Sequence, residues 1–192
     1  MVKNTVSICS LFLMIFFLSN HIMAQPKDVL GWREARWRMT EEQILTAFKG
    51  EAFRFKEEIA IPGGDYAIIG IENINLRGEN FTVRFIMDGK TRKLKRVSFR
   101  PVETWNLGDK VTLATFKNLE QLLVEKYGKP AYRDDKGTPD YNIRVKGYTN
   151  LVTKWLFPTT SIELSYMEDR QTSMRNLFFS YQPNIDKDRD KL

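Results

Sequence analysis

The most restrictive feature of this 192-residue sequence is the position of its only cysteine and its only histidine. Cys9 and His21 both lie in residues 1–24, which have the layout of a removable signal peptide. The rest of the chain contains neither residue. It can therefore form no disulfide, no zinc finger, no cysteine nucleophile and no Ser-His-Asp triad. Its fold must be held together by packed side chains.

The leader has the three parts of a secretory signal. Lys3 gives a weakly positive start, residues 6–18 form an uncharged and mostly apolar run, and Ala24 is a small residue before Gln25. The apolar run is shorter than the roughly 20 residues that a membrane span needs. We therefore expect a periplasmic or secreted protein whose mature chain begins at Gln25 and has no transmembrane segment. An uncleaved anchor is the alternative.

Charge restricts the choice of partner only loosely. The chain carries 30 Lys and Arg against 24 Asp and Glu, which is an ordinary excess for a small domain. Export argues against nucleic acid, so the expected partner is a protein, an anionic polysaccharide or a lipid headgroup. No glycine-rich phosphate loop occurs, and the aspartates at 186–190 lack the glycine and glutamate of a calcium loop. We expect neither a cofactor nor a bound metal.

Hydrophobic periodicity predicts two helices. The first opens at Thr40, where Gln43 completes a capping box, and it stops at Gly50. The second spans about residues 112–127 and ends at Gly128. Elsewhere the apolar period is two, which indicates strands. These alternating segments lie near residues 68–71, 81–87, 97–99, 151–157, 162–166 and 177–181.

The two halves of the chain follow a similar order. Phe48 before Gly50 corresponds to Tyr127 before Gly128, and the strand around Phe99 corresponds to a later strand about 80 residues on. The predicted fold class is α+β, with two tandem repeats of a helix packed on an antiparallel β-sheet. The predicted units are a signal peptide (1–24), a first lobe (25–105), a second lobe (106–183) and a charged flexible tail (184–192).

Two segments carry a resemblance to known exported proteins. Residues 37–44 (WRMTEEQI) are similar to a Gly-Met-Thr helix entry, and residues 116–130 resemble a helix ending common in exported bacterial proteins. The pattern resembles the β-lactamase-inhibitor-protein-like architecture and the small outer-membrane assembly lipoproteins (SmpA/OmlA). Arg38 stands where glycine is usual, and this chain lacks the inhibitors' disulfides and the lipoproteins' lipidated cysteine. The resemblance implies a two-lobed fold and an interaction role, and it transfers no inhibitory residue.

The most informative cluster of charges is basic. A two-residue turn at Asp88-Gly89 would put the apolar residues of the two flanking strands on opposite faces, so we expect a longer loop, about residues 88–92, or a bulge. In that register Arg84 lies opposite Arg96, with Arg100 on the same polar face. Like charges directly opposite destabilise a sheet. Either acidic neighbours such as Glu72 or Glu163 compensate the charges, or the face is a site for a carboxylate, phosphate or sulfate group. The alternative is a solvated hairpin that resists edge aggregation.

Tryptophans supply the second set of candidates. Trp32 lies near the mature N-terminus and Trp105 near the predicted joint between the lobes. Both are candidates for contact with a partner, because aromatic side chains carry much of the energy of interfaces. Packing between the two halves is the alternative for each.

Together these patterns favour an exported, soluble protein that binds an envelope or secreted macromolecule through a basic and aromatic sheet face. A carboxylate-dependent hydrolase of envelope polysaccharide and a structural envelope component are the alternatives. The adjacent acidic pairs, among them Glu41-Glu42, have no catalytic motif around them. No catalytic residue is assigned, and an enzyme is the less favoured interpretation.

Overall fold

The computed structural model describes residues 28–102, 112–134, 148–169 and 171–184. The predicted leader, the predicted joint between the lobes and residues 185–192 lie outside these ranges. In the described part the elements follow one another in the order β1 (Gly31–Trp32), β2 (Ala35–Arg36), α1 (Glu41–Ala47), β3 (Phe53–Ile61), β4 (Asp65–Leu76), β5 (Glu79–Met87), β6 (Leu94–Pro101), α2 (Leu113–Tyr127), β7 (Tyr132–Asp134), β8 (Tyr148–Leu156), β9 (Thr160–Asp169) and β10 (Met174–Pro183).

Eight strands form one continuous antiparallel sheet in the order β3-β4-β5-β6-β10-β9-β8-β7. At its centre β6 pairs with β10, with Phe99 opposite Phe179 and Ser98 opposite Ser180. The described part is mostly β, so the prediction of two tandem helix-on-sheet repeats is wrong. Two separate sheets would each expose an edge strand with unpaired backbone groups, and the pairing of β6 with β10 removes both edges.

Strand β3 shows where the alternation rule fails. Its apolar start at Phe53 and Phe55 runs into a charged stretch at residues 56–58, and the register against β4 shifts between Arg54 and Ile59. A bulge breaks the period of two, so the sequence pattern did not predict this strand. Its position at the edge of the sheet explains the exposed charges, which are typical of protected edges.

Aromatic rings fill the core beneath the central pair of strands. The rings of Phe99 and Phe179 stack with centroids 4.3 Å apart, and Trp32 meets Phe99 edge-on at 5.3 Å. Both helices pack on this same face of the sheet. One cluster of buried residues therefore joins the two halves. The first helix contributes Ile44, the residue after it is Phe48, and α2 contributes Phe116, Leu119 and Leu123.

The helix caps are those that the sequence predicts. The Thr40 hydroxyl accepts from the Gln43 N–H, and the Gln43 side chain accepts from the Thr40 N–H. The second helix begins after Thr112 and ends before Gly128, whose φ of 79° places it in the left-handed region that favours glycine. Both capping predictions are confirmed, although α1 ends at Ala47, before Gly50.

The carboxylate of Glu41 ties α1 to the sheet. It is 7% exposed and accepts hydrogen bonds from Arg54 at 2.5 Å, Tyr66 at 2.7 Å and Arg92 at 2.7 Å. Burial by itself raises the pKa of Glu41. The hydrogen bonds from Arg54 and Tyr66, with the charges of Arg54 and Arg92, outweigh burial and hold the pKa below its usual 4.5.

We expect Glu41→Gln to lower the free energy of unfolding by about 2 kcal/mol near neutral pH, because hydrogen bonds to a charged group are lost. A lowered folded-state pKa stabilises the fold above the unfolded-state pKa, and this stabilisation is lost as the pH falls through the folded-state value. The variant should therefore lose stability less steeply in acid. Urea unfolding from neutral to acidic pH measures both effects. Glu42→Gln is the control, because the Glu42 side chain is 77% exposed.

The pairing of β6 with β10 makes a second prediction. Phe179→Ala should lower the free energy of unfolding by about 3–5 kcal/mol, because it leaves a cavity beside Phe99. Phe178→Ala should cost less than about 1 kcal/mol, because Phe178 points to the other face and is 42% exposed. Denaturant unfolding of both variants measures the difference. Equal losses would contradict the described register of β10.

Candidate functional site

The polar face of β5 and β6 carries the predicted arginines in a corrected register. Arg84 lies opposite Ser98, and Arg96 lies opposite Ile86, so the predicted pairing of Arg84 with Arg96 is wrong. The loop spans residues 88–93, where the Asp88 N–H donates to the Lys93 carbonyl at 2.9 Å. A bulge follows Ile86. The sequence predicts a longer loop or a bulge, and the structure has both. Together they shift the pairing of β5 with β6 by two residues from the predicted register.

The shift in register changes the positions of the three arginines relative to one another. Alternate residues of a strand share a face, so Arg96, Ser98 and Arg100 all point to the polar side. Arg84, opposite Ser98, points there too and lies diagonally to both β6 arginines. The arginines therefore surround a small side chain instead of meeting directly. This arrangement relieves the like-charge pairing that the sequence predicts and leaves space above Ser98.

All three arginines line one depression of about 610 Å³ on the open face of the sheet. We call it the arginine depression. The short side chains of Ser98, Ser165 and Ser180, from three neighbouring strands, lie along its base. Phe178 of β10 stands beside them. A volume of this size falls in the range of sites that bind small molecules or parts of larger ones.

The turn between β3 and β4 forms one side of the depression through Ile61 and Pro62. The loop between β5 and β6 packs tightly against that turn. A Cβ atom at Gly89 would lie only 1.8 Å from the carbonyl oxygen of Gly64. Glycine at position 89 therefore permits the close approach that places the apolar side of the depression next to the arginines.

The arginine depression presents donors that lack acceptors. The Nε atom of Arg84 is buried without a hydrogen-bond partner, and neither Arg84 nor Arg96 makes an ion pair within the described part of the chain. Arg100 differs, because its guanidinium lies over the ring of Phe178, 5.2 Å from the centroid. Glu163 also lines the depression, and its Oε2 lies 2.8 Å from the Lys154 ammonium. Its charge is therefore already paired.

The two tryptophan candidates do not join this face in the described structure. Trp32 is buried in the core on the helix side, with its ring stacked on Phe48 at 5.7 Å. The Arg33 guanidinium covers the Trp32 ring at 5.4 Å. Trp32 thus packs the N-terminal segment against the sheet. Trp105 lies outside the described residues.

Sequence reasoning missed two members of the site, Phe178 and Ser180. Phe178 stands between the buried Leu177 and Phe179, at the alternate position of β10 that faces solvent. The available signal in the sequence was a phenylalanine at a position that the alternation of β10 assigns to the polar face. Ser180 gave no such signal, because only the pairing of β6 with β10 brings it beside Ser98 and Arg84.

Two further observations concern metal binding and membrane spans in the described part of the chain. No group of three or more His, Cys, Asp or Glu side chains within the described ranges could bind a metal ion. Neither helix of the described part is long and apolar enough to cross a membrane. The arginine depression itself offers arginine donors, serine hydroxyls, the Glu163 carboxylate and the ring of Phe178.

Comparisons with known proteins add no assignment. No protein-family model, no curated protein and no solved structure matches the chain. The resemblance to the β-lactamase-inhibitor-like and outer-membrane assembly proteins therefore stays a prediction from the sequence. The interpretation of the arginine depression rests on its own geometry.

Arg84→Met tests whether this arginine serves a site or the fold. We expect the free energy of unfolding to stay unchanged or to rise by up to about 1 kcal/mol, because a buried donor without an acceptor is removed. Arg54→Met is the matched control and should lower it by about 1 kcal/mol, since Arg54 pairs with the buried Glu41. Urea unfolding compares the two. A loss at Arg84 as large as that at Arg54 would make Arg84 a structural residue.

Proposed function

We propose that this protein is an exported binding protein that recognises an anionic group of an envelope or secreted macromolecule through the arginine depression. One observation carries the proposal. Arg84 and Arg96 stand around Ser98 without an ion-pair partner in the described residues, and the nearby Glu163 is engaged by Lys154. Unpaired cations that line one concave surface attract an anion.

The geometry of arginine suits a carboxylate, phosphate or sulfate ligand. A guanidinium offers its Nε–H and a terminal N–H in a planar fork that matches two oxygens of such a group. The Arg84 guanidinium has no hydrogen-bond or ion-pair partner in the described part of the chain, so a ligand oxygen at its terminal N–H groups would satisfy donors that the fold leaves unpaired. Partial burial of the side chain reduces screening by water, which strengthens that bond.

Binding accounts for this face better than hydrolysis does. A glycoside hydrolase needs two carboxyl groups flanking the scissile bond. Among the residues that line the arginine depression, Glu163 is the one carboxylate, and it is held by Lys154. The leader at residues 1–24 supports the exported location.

The double variant Arg84→Met/Arg96→Met tests the proposed function. The immobilised wild-type protein should capture a partner from the exported fraction and release it as salt is raised, because salt screens charge pairs. The double variant should bind that partner at least about 100-fold more weakly, since each arginine contributes a charged hydrogen bond worth about 1.5–3 kcal/mol. Mass spectrometry identifies the partner, and interferometry measures the affinity.

The matched control removes the same charge from the helix side of the sheet. Lys117 lies in the first half of α2 and Lys129 lies two residues after its end, and both are exposed. Lys117→Met/Lys129→Met should bind the partner as the wild type does. Equal losses in both double variants would mean that net charge alone drives capture, and the arginine depression would not be the site.

A further inference from the structure

The arginine depression also holds an acceptor that a purely anionic ligand would avoid. Lys154 lies beside the Oε2 atom of Glu163, whereas Oε1 makes no hydrogen bond or ion pair with any residue that the structure describes. The Glu163 side chain is 31% exposed. An ionised carboxylate only accepts hydrogen bonds. A hydroxyl group suits this position, and a second anionic group does not.

The register places the basic and acidic groups at opposite ends of one row. Arg84 pairs with Ser98, Ser98 with Ser180, and Ser180 with Glu163, across β5, β6, β10 and β9. Neighbouring strands lie about 4.8 Å apart, so the row spans roughly 14 Å from Arg84 to Glu163. That length exceeds a single inorganic anion. The two serines between the ends carry hydroxyls that donate and accept.

The exposed ring of Phe178 adds a flat apolar surface next to this row. It is 42% exposed, and Arg100 approaches it from one direction. Aromatic rings at binding sites supply contact area to ligands that are partly apolar and partly polar. The C–H face of a sugar ring has this character.

From this lining we infer that the ligand of the arginine depression is an acidic oligosaccharide. Its carboxylates bind Arg84 and Arg96, and its hydroxyls bind Ser180 and the Oε1 atom of Glu163. The inference rests on the proposed function and names the class of partner. An acidic peptide would add carboxylates beside Glu163 and would find no strand edge to pair with on a sheet face. A flat membrane surface does not reach arginines that line a concave wall.

Calorimetric titration of the purified protein with four probes tests the inference. The probes are trigalacturonate, its fully methylated ester, a triglutamate peptide, and vesicles that contain phosphatidylglycerol. We expect trigalacturonate to bind, and the neutral ester and the peptide to bind at least about tenfold more weakly, because each lacks either the charge or the hydroxyls. We expect no binding to the vesicles.

Two kinds of variant test the contributions of the basic end and the acidic end of the row separately. Arg84→Met and Arg96→Met should each weaken trigalacturonate binding at least about tenfold, and the second variant keeps the test valid if the first misfolds. Glu163→Gln should weaken trigalacturonate about fivefold, because a charged acceptor becomes neutral, and should leave the peptide unchanged or bound more tightly. Lys117→Met/Lys129→Met should change nothing.

The outcomes distinguish this inference from the proposed function. If the peptide or the vesicles bind as tightly as trigalacturonate and the binding depends on Arg84, the oligosaccharide inference fails and the anion-binding function stands. The inference also fails if Glu163→Gln strengthens trigalacturonate binding. If no anionic probe binds and capture from the exported fraction does not depend on Arg84 and Arg96, both fail.

Discussion

The pairing of β6 with β10 is the interaction on which the rest of the structure depends. It stacks Phe99 on Phe179 and turns two sets of strands into one sheet. The buried face of this sheet receives both helices, and no helix of the described part covers the other face. The same pairing sets Ser98 beside Ser180, which brings Arg84 into one row with Glu163. The core and the candidate site thus lie on opposite faces of the sheet, and the same backbone hydrogen bonds position both.

The described part of the chain contains no cysteine or histidine, so it holds this sheet by other means. Aromatic stacking at the centre provides much of the buried area. The buried carboxylate of Glu41 fixes α1 through donors from β3, β4 and the loop before β6. In this cluster every oxygen of the acid is used. Arg84 contrasts with this cluster, because its buried Nε atom has no acceptor in the described part of the chain and so costs stability.

The arginine depression combines groups that a simple basic patch would not contain. Arg84 and Arg96 provide donors, Glu163 provides an acceptor, and serines and Phe178 lie between them. Such a mixture selects a ligand by the order of its groups along the row as well as by its charge. This is why the proposed ligand class follows from the register and not from the net charge of the protein.

The sequence by itself determined the local features. Thr40 identifies the start of the first helix because a capping box depends on residues three apart. Alternation places Arg84, Arg96 and Arg100 on one polar face because strand side chains repeat every two residues. Tertiary structure decided the rest. The bulge after Ile86 set Arg84 against Ser98, and the pairing of β6 with β10 brought in Phe178 and Glu163. Strand partners distant in the chain leave no local pattern, because their choice depends on which edges and apolar faces can be buried together.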